Sequence, residues 1–218
     1  MALQTAIPVD LADVRLEADL VVPEQAYGLV LFAHGSGSSR RSPRNRTVAG
    51  RLHEHRLATV LADLLTPAEQ EQDRLTGELR FDIALLGQRM TRLVDWASEA
   101  PPVAGQPVGL FGASTGAAAA LVAAAARPAL VRAVVSRGGR PDLAGASLSH
   151  VRAPTLLLVG ERDEVVWRLN QEAAARLGAD CQLQMVAGAG HLFEEPGALA
   201  EVADRAATWF AGHLSSRP

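Results

Sequence analysis

Five short apolar runs that lack polar alternation and end in small or polar residues constrain this chain more than any other feature. They are Gly28–Ala33, Leu57–Ala62, Val108–Gly112, Val131–Ser136 and Thr155–Gly160. A strand with one wet face alternates apolar and polar side chains, whereas a strand covered on both faces need not. Between these runs lie segments with helical spacing of apolar residues: Asn45–His55, Asp82–Ala97, Thr115–Arg127, Val166–Leu177 and Gly197–Leu214. Strands alternating with helices predict an α/β fold, a mostly parallel sheet with helices on both faces. The stretch from Ile7 to Val22 differs, because Val14, Leu16, Ala18 and Leu20 alternate with Arg15, Glu17 and Asp19. That pattern predicts an antiparallel hairpin at the sheet edge. No repeat or long linker breaks the pattern, so a single domain over residues 1–218 is expected.

Composition removes several function classes. Hydrophobic residues make up 48% of the 218, enough for a sizeable core, and the net charge is −3. All 21 basic residues are arginines, read here as compositional bias, and the overall balance argues against a nucleic-acid-binding face. A lone cysteine, Cys181, permits no intramolecular disulfide and suits a reducing compartment. Met1 to Asp10 does not resemble a signal peptide, and no apolar run approaches the roughly 20 residues of a membrane span. The expectation is a cytoplasmic protein with neither membrane nor nucleic-acid partner; the oligomeric state is not legible.

Gly112, Ala113, Ser114, Thr115 and Gly116 form G-x-S-x-G between a predicted strand and a predicted helix, the context that motif requires. A serine on such a sharp turn projects its Oγ clear of the backbone. Positions two residues away on either side must then be very small. A serine hydroxyl needs a base, and the base needs an orienting acid. The chain order expected on such a fold is serine, acid, histidine.

Three histidines follow Ser114. His191 lies in a glycine-rich loop after the predicted strand Gln182–Val186, at the C-terminal end where α/β sheets place reacting groups. His150 precedes the strand at Thr155, at the wrong end, and His213 sits in a last helical turn. The acid should follow Thr155–Gly160, where Glu161, Asp163 and Glu164 are candidates. Asp163 is preferred because it lies well into the turn, and Asp142 is held in reserve. Backbone N–H groups of Thr115 and Ser36 are the candidate oxyanion donors. Ser36 belongs to a glycine-rich loop, residues 34–37, that His34 is expected to support.

Four motifs in order, HGSG at 34–37, GASTG at 112–116, GERDE at 160–164 and GAGH at 188–191, resemble the α/β-hydrolase superfamily. More narrowly, they resemble its small dienelactone-hydrolase-like branch. The resemblance covers nearly the whole chain and implies an α/β-hydrolase fold. It also implies cofactor-free cleavage of small-molecule esters or lactones through an acyl-enzyme. One departure matters: dienelactone hydrolases proper carry cysteine at the elbow, where this chain has Ser114. That argues against dienelactone itself as substrate. Only residues 137–154 separate two predicted strands, leaving no room for a large cap and implying an open site for small or short-acyl esters.

Other readings compete. Gly35 and Gly37 open a partial G-x-G-x-x-G, but Arg40 replaces the third glycine, and Asp63 lies 28 residues after Gly35 against a usual spacing of about 20. A non-catalytic ligand-binding relative, or cleavage of thioesters or amides by the same triad, stays open. Arg40, Arg41, Arg44 and Arg46 read as a solvated loop before a helix, with attraction of an anionic substrate as the alternative. Arg137 and Arg140 emerge at a strand end, and Arg137 is the candidate substrate-binding residue. His53 and His55 point apart on a helix and read as surface, so no metal is expected. Glu69, Glu71 and Asp73 read as a solvated loop or short helix, and Trp96, Trp167 and Trp209 as packing anchors.

Overall fold

The computed structural model describes residues 3–215. β1 (Leu3–Leu11) and β2 (Val14–Val22) form the expected antiparallel hairpin. β3 (Gly28–Ala33), β4 (Leu57–Ala62), β5 (Val108–Ala113), β6 (Val131–Arg137), β7 (Thr155–Gly160) and β8 (Cys181–Val186) complete an eight-stranded sheet. Its order is β1-β2-β4-β3-β5-β6-β7-β8, parallel from β4 to β8, with β2 antiparallel to β4. Every residue of β3, β4, β5 and β7 is buried, which is why these strands carry no polar alternation.

Successive residues of a strand face opposite layers. Val30, Phe32, Phe111 and Val135 pack under α1 (Pro43–Glu54) and α6 (Ala198–Leu214), with Val48, Leu52, Val202 and Phe210. Leu29, Leu31, Leu110 and Val134 face α3 (Ile83–Glu99) and α4 (Thr115–Ala126), with Met90 and Leu93. Each fully buried side chain of this size contributes about 1.5–3 kcal/mol. Alanines 117–120 and 123–124 of α4 are all buried, so the helix lies close to the sheet without large side chains to displace. Close approach extends to α3, where a Cβ on Gly87 would fall 2.7 Å from Val122 Cγ1.

Three expectations are corrected. The acidic stretch after Pro67 takes the second of its two readings, a short helix, α2 (Pro67–Thr76), opened by a reciprocal Thr66–Glu69 capping box, and what the structure corrects is its solvation. Its acids are not all solvated. Glu69 accepts from both Arg89 terminal nitrogens at 2.5 Å, and buried Asp73 accepts from Arg80 Nε at 2.7 Å. Arg40 does not sit in a solvated loop: it enters a carboxylate cluster, with Asp63 and Glu17 paired to its terminal nitrogens. His53 is half-buried, its Nε2 2.8 Å from Thr59 Oγ1, rather than free on the surface. Between β6 and β7 the chain makes only short 3₁₀ turns at Pro141–His150, so no large cap covers the sheet.

Candidate active site

β5 ends at Ala113 and α4 begins at Thr115, leaving one residue to turn the chain. Ser114 does so at φ 51° and ψ −123°, a left-handed conformation costing about 1–3 kcal/mol in a non-glycine residue. The surrounding packing enforces it. A Cβ on Gly116 would lie 2.2 Å from the Ala33 carbonyl oxygen, and one on Gly112 2.4 Å from Ala117 Cα. Both atoms are backbone and cannot move aside, which accounts for both glycines of the motif. Ser114 N–H donates to Arg137 O at 3.3 Å and Ser114 O accepts from Arg140 N–H at 3.0 Å, fixing the elbow to the end of β6.

His191 follows β8, and its Nδ1 lies 2.5 Å from Asp163 Oδ2. A carboxylate oxygen only accepts, so in the neutral ring Nδ1 carries the proton and Nε2 is the acceptor. Two further carboxylates shape this loop. Glu161 Oε2 accepts from Gly188 N–H at 2.6 Å and Glu195 Oε1 from Gly190 N–H at 3.0 Å. Backbone N–H groups of Glu195 itself and of Gly190 hold the Glu195 carboxyl below its usual range. Glu161 thus positions the loop without bonding His191, and Glu195 is a positioning residue that sequence reading did not single out. The signal for Glu161 lay in its proximity to Asp163; Glu195 offered none.

The remaining candidates are placed elsewhere. Asp142 is held by Arg140 in a two-pronged pair at 2.9 and 2.7 Å. His150 Nδ1 lies 3.1 Å from Ala146 O, and His213 Nδ1 lies 2.8 Å from Trp209 O. Asp63, the acid of the dinucleotide reading, is taken by Arg40, both through its side chain and by accepting from Arg40 N–H at 2.7 Å.

The candidate oxyanion loop, residues 34–37, is clamped from beneath. His34 is buried; its Nδ1 donates to Gly35 O at 3.0 Å and its Nε2 accepts from Leu64 N–H at 3.2 Å. Burial pushes the His34 pKa below its ordinary value, which favours the neutral ring that this pattern requires. Arg89 Nη1 donates to Leu64 O at 2.7 Å, so both polar groups of Leu64 are engaged. Ser36 is exposed at the tip of the loop. Thr115 opens α4, where the first N–H groups of a helix lack intrahelical acceptors.

Two cavities flank this loop. One of about 230 Å³ is lined by Ser114, His191, Arg137, Arg44, Gly138 and the loop itself. The other, about 400 Å³, is lined by Thr115, Leu65, Leu86, Arg80 and the same loop residues Gly35, Ser36 and Ser38. Ser114, His191, Ser36 and Arg137 therefore share one cavity, Asp163 supports it from behind, and Thr115 faces the neighbouring one. Among the described residues no three histidine, cysteine, aspartate or glutamate side chains converge as a metal site would need. None of the described helices is long and apolar enough to cross a membrane.

Residues 30–213 match the dienelactone hydrolase family. The structure of a dienelactone hydrolase from Anabaena variabilis is similar at TM-score 0.96 and 53% identity, covering 98% of this chain and 99% of that one. Est1E from Butyrivibrio proteoclasticus, 16% identical and covering 95% and 98% of the two chains, shares the fold at TM-score 0.78. A Mycobacterium tuberculosis protein provisionally named a phosphoribosyl transferase is 57% identical over 201 residues, 92% of this chain and 44% of its own length. The chain thus spans less than half the length of the curated relatives it matches. By matched span, identity and fold, it belongs to the dienelactone hydrolase family.

Proposed function

We propose that this chain is a serine hydrolase that cleaves small carboxylic esters or lactones through an acyl-enzyme on Ser114. The observation that carries this reading is the 2.5 Å contact of His191 Nδ1 with Asp163 Oδ2 beside the cavity that Ser114 and His191 both line. With Nδ1–H committed to Asp163, the neutral ring keeps its other nitrogen as an acceptor for the proton of Ser114, which lines the same cavity. In the first half-reaction His191 takes the Ser114 proton as Oγ attacks the carbonyl carbon. Negative charge on the carbonyl oxygen meets the N–H groups of Thr115 and Ser36. His191 then gives its proton to the departing alkoxide, leaving the acyl group on Ser114. Water repeats the sequence, returns the proton to Ser114 and releases the acid.

The absence of a large cap supports a preference for short acyl groups. The transferase name of the mycobacterial relative describes a protein more than twice the length of the matched segment, and that chemistry is not carried over. The test is fluorophosphonate labelling of wild type and Ser114→Ala, read by intact mass. One adduct on wild type and none on the variant is the expected result. Folded wild type that takes no label would end the hydrolase reading. Loss of Ser114 should lower kcat by about 10³–10⁶-fold.

A further inference from the structure

Asn170 is a fully buried polar side chain in the middle of α5 (Glu164–Ala174), where asparagine disfavours helix. Its Nδ2 donates to Val166 O, one turn back, at 2.8 Å and to Gly139 O at 2.9 Å. Both neighbours are carbonyls, which only accept, so the amide faces them with its nitrogen. Its Oδ1 is buried with no hydrogen-bond partner among the described residues. Asparagine at this position therefore weakens its own helix and leaves one polar atom unmet. What it gains is a hold on the Gly139 carbonyl, 31 residues away in the chain.

That carbonyl belongs to the turn that clasps the elbow. Ser114 N–H donates to Arg137 O and Arg140 N–H donates to Ser114 O, so residues 137–140 hold the strained serine from both sides. The same turn lies against the histidine loop: a Cβ on Gly138 would fall 3.1 Å from His191 O and 3.6 Å from His191 Nδ1. Gly139 is wedged, since a Cβ there would collide with Ser136 Oγ and fall 2.5 Å from Ala117 Cβ. Asp163 is the N-cap residue of α5, two turns before Asn170. One helix thus carries the acid at its start and, through Asn170, grips the turn that abuts both Ser114 and His191. Resting on the hydrolase reading above, we propose that Asn170 is a positioning residue, fixing the 137–140 turn and through it the placement of Ser114 relative to His191.

The test uses Asn170→Leu, which keeps the branched outline of the side chain and favours helix but has no donor for Gly139 O. Hydrogen exchange at peptides covering Ser114 and Arg140, read by mass spectrometry, should quicken about 10-fold, the equivalent of one lost hydrogen bond. For a short-acyl ester, kcat should fall about 10-fold with KM nearly unchanged, because the displaced atoms act in the transition state. Asn170→Ala should show the same pattern with a lower Tm, and it serves in place of the leucine variant should that one fold poorly. Ala173→Gly loosens the backbone of the same helix at a buried position without removing the bond to Gly139, and its kcat should stay within about 2-fold of wild type. Unchanged kcat in the Asn170 variants, or an equal fall in Ala173→Gly, overturns the proposal. Unchanged exchange at the two peptides overturns it whether or not any ester is cleaved. Wild type that takes no fluorophosphonate, with exchange still quickened in the Asn170 variants, defeats the hydrolase reading and leaves the link from Asn170 to the elbow standing.

Discussion

His34→Ala removes a buried imidazole that bridges two segments far apart in sequence, the proposed oxyanion loop after β3 and the turn after β4. Leu64 is fully buried, so its N–H, now accepted by His34 Nε2 at 3.2 Å, would lose its partner out of reach of water. An orphaned buried donor costs about 1–3 kcal/mol. The lost ring packing adds about 1 kcal/mol, giving a total of about 2–4 kcal/mol against the 5–15 kcal/mol typical of a folded domain. The variant should therefore fold, with a clear drop in the urea midpoint. Freed from Gly35 O, the loop would also hold Ser36 N–H less firmly. Loss of one oxyanion donor is worth about 10²–10³ in kcat, so a fall of about 10-fold to 10²-fold is expected from partial misplacement. His34→Gln, whose side-chain oxygen can accept from Leu64 N–H, should recover much of the stability. Urea unfolding and turnover of a short-acyl ester provide the two readouts. A folded His34→Ala protein with unchanged kcat would refute the link between this histidine and the oxyanion loop.

Gly116→Ala should give little folded protein or an inactive elbow, since its Cβ meets the Ala33 carbonyl at 2.2 Å; near-normal yield and turnover would contradict the packing argument. Asp163→Asn should keep the fold but lower kcat by about 10⁴, because an amide can hold the wrong His191 tautomer; steady-state kinetics at neutral pH measure it. Arg89 holds the Glu69 carboxyl well below its usual range, at about 2 against 4.5. A lowered carboxyl pKa stabilises the fold above 4.5, and that contribution is lost as pH falls from 4.5 towards 2. Taken in full the shift corresponds to about 3 kcal/mol; solvent reaching the pair reduces this to about 1–2 kcal/mol. Glu69→Gln should lose that amount at pH 7 and flatten the acid limb of stability, as measured by denaturant titration across pH.

The sequence by itself determined the sheet and the elbow, because both are local. Runs such as Gly28–Ala33 and Thr155–Gly160 must be covered on both faces, and the alternation from Val14 to Leu20 must leave one face of its strand wet, as it does in β2 beside the edge strand β1. Gly112 and Gly116 mark a turn whose tightness leaves no alternative side chain. α2 was harder to read: its stability comes from a capping box and from Arg89, twenty residues away on another helix, rather than from an apolar stripe. Arg40 read as solvated because its carboxylates, Glu17 and Asp19 on β2 and Asp63 just after β4, are brought beside it only by the folded sheet. Near Ser114, position along the chain narrowed the candidate acids to three in one turn. Which of them meets His191 depends on the loop after β8, itself pinned by Glu161 and Glu195. That Arg137 Nη1 is buried with no hydrogen-bond partner among the described residues is purely tertiary information. Pairing and burial of a charge are decided by what the rest of the fold places around it, and no local pattern encodes that.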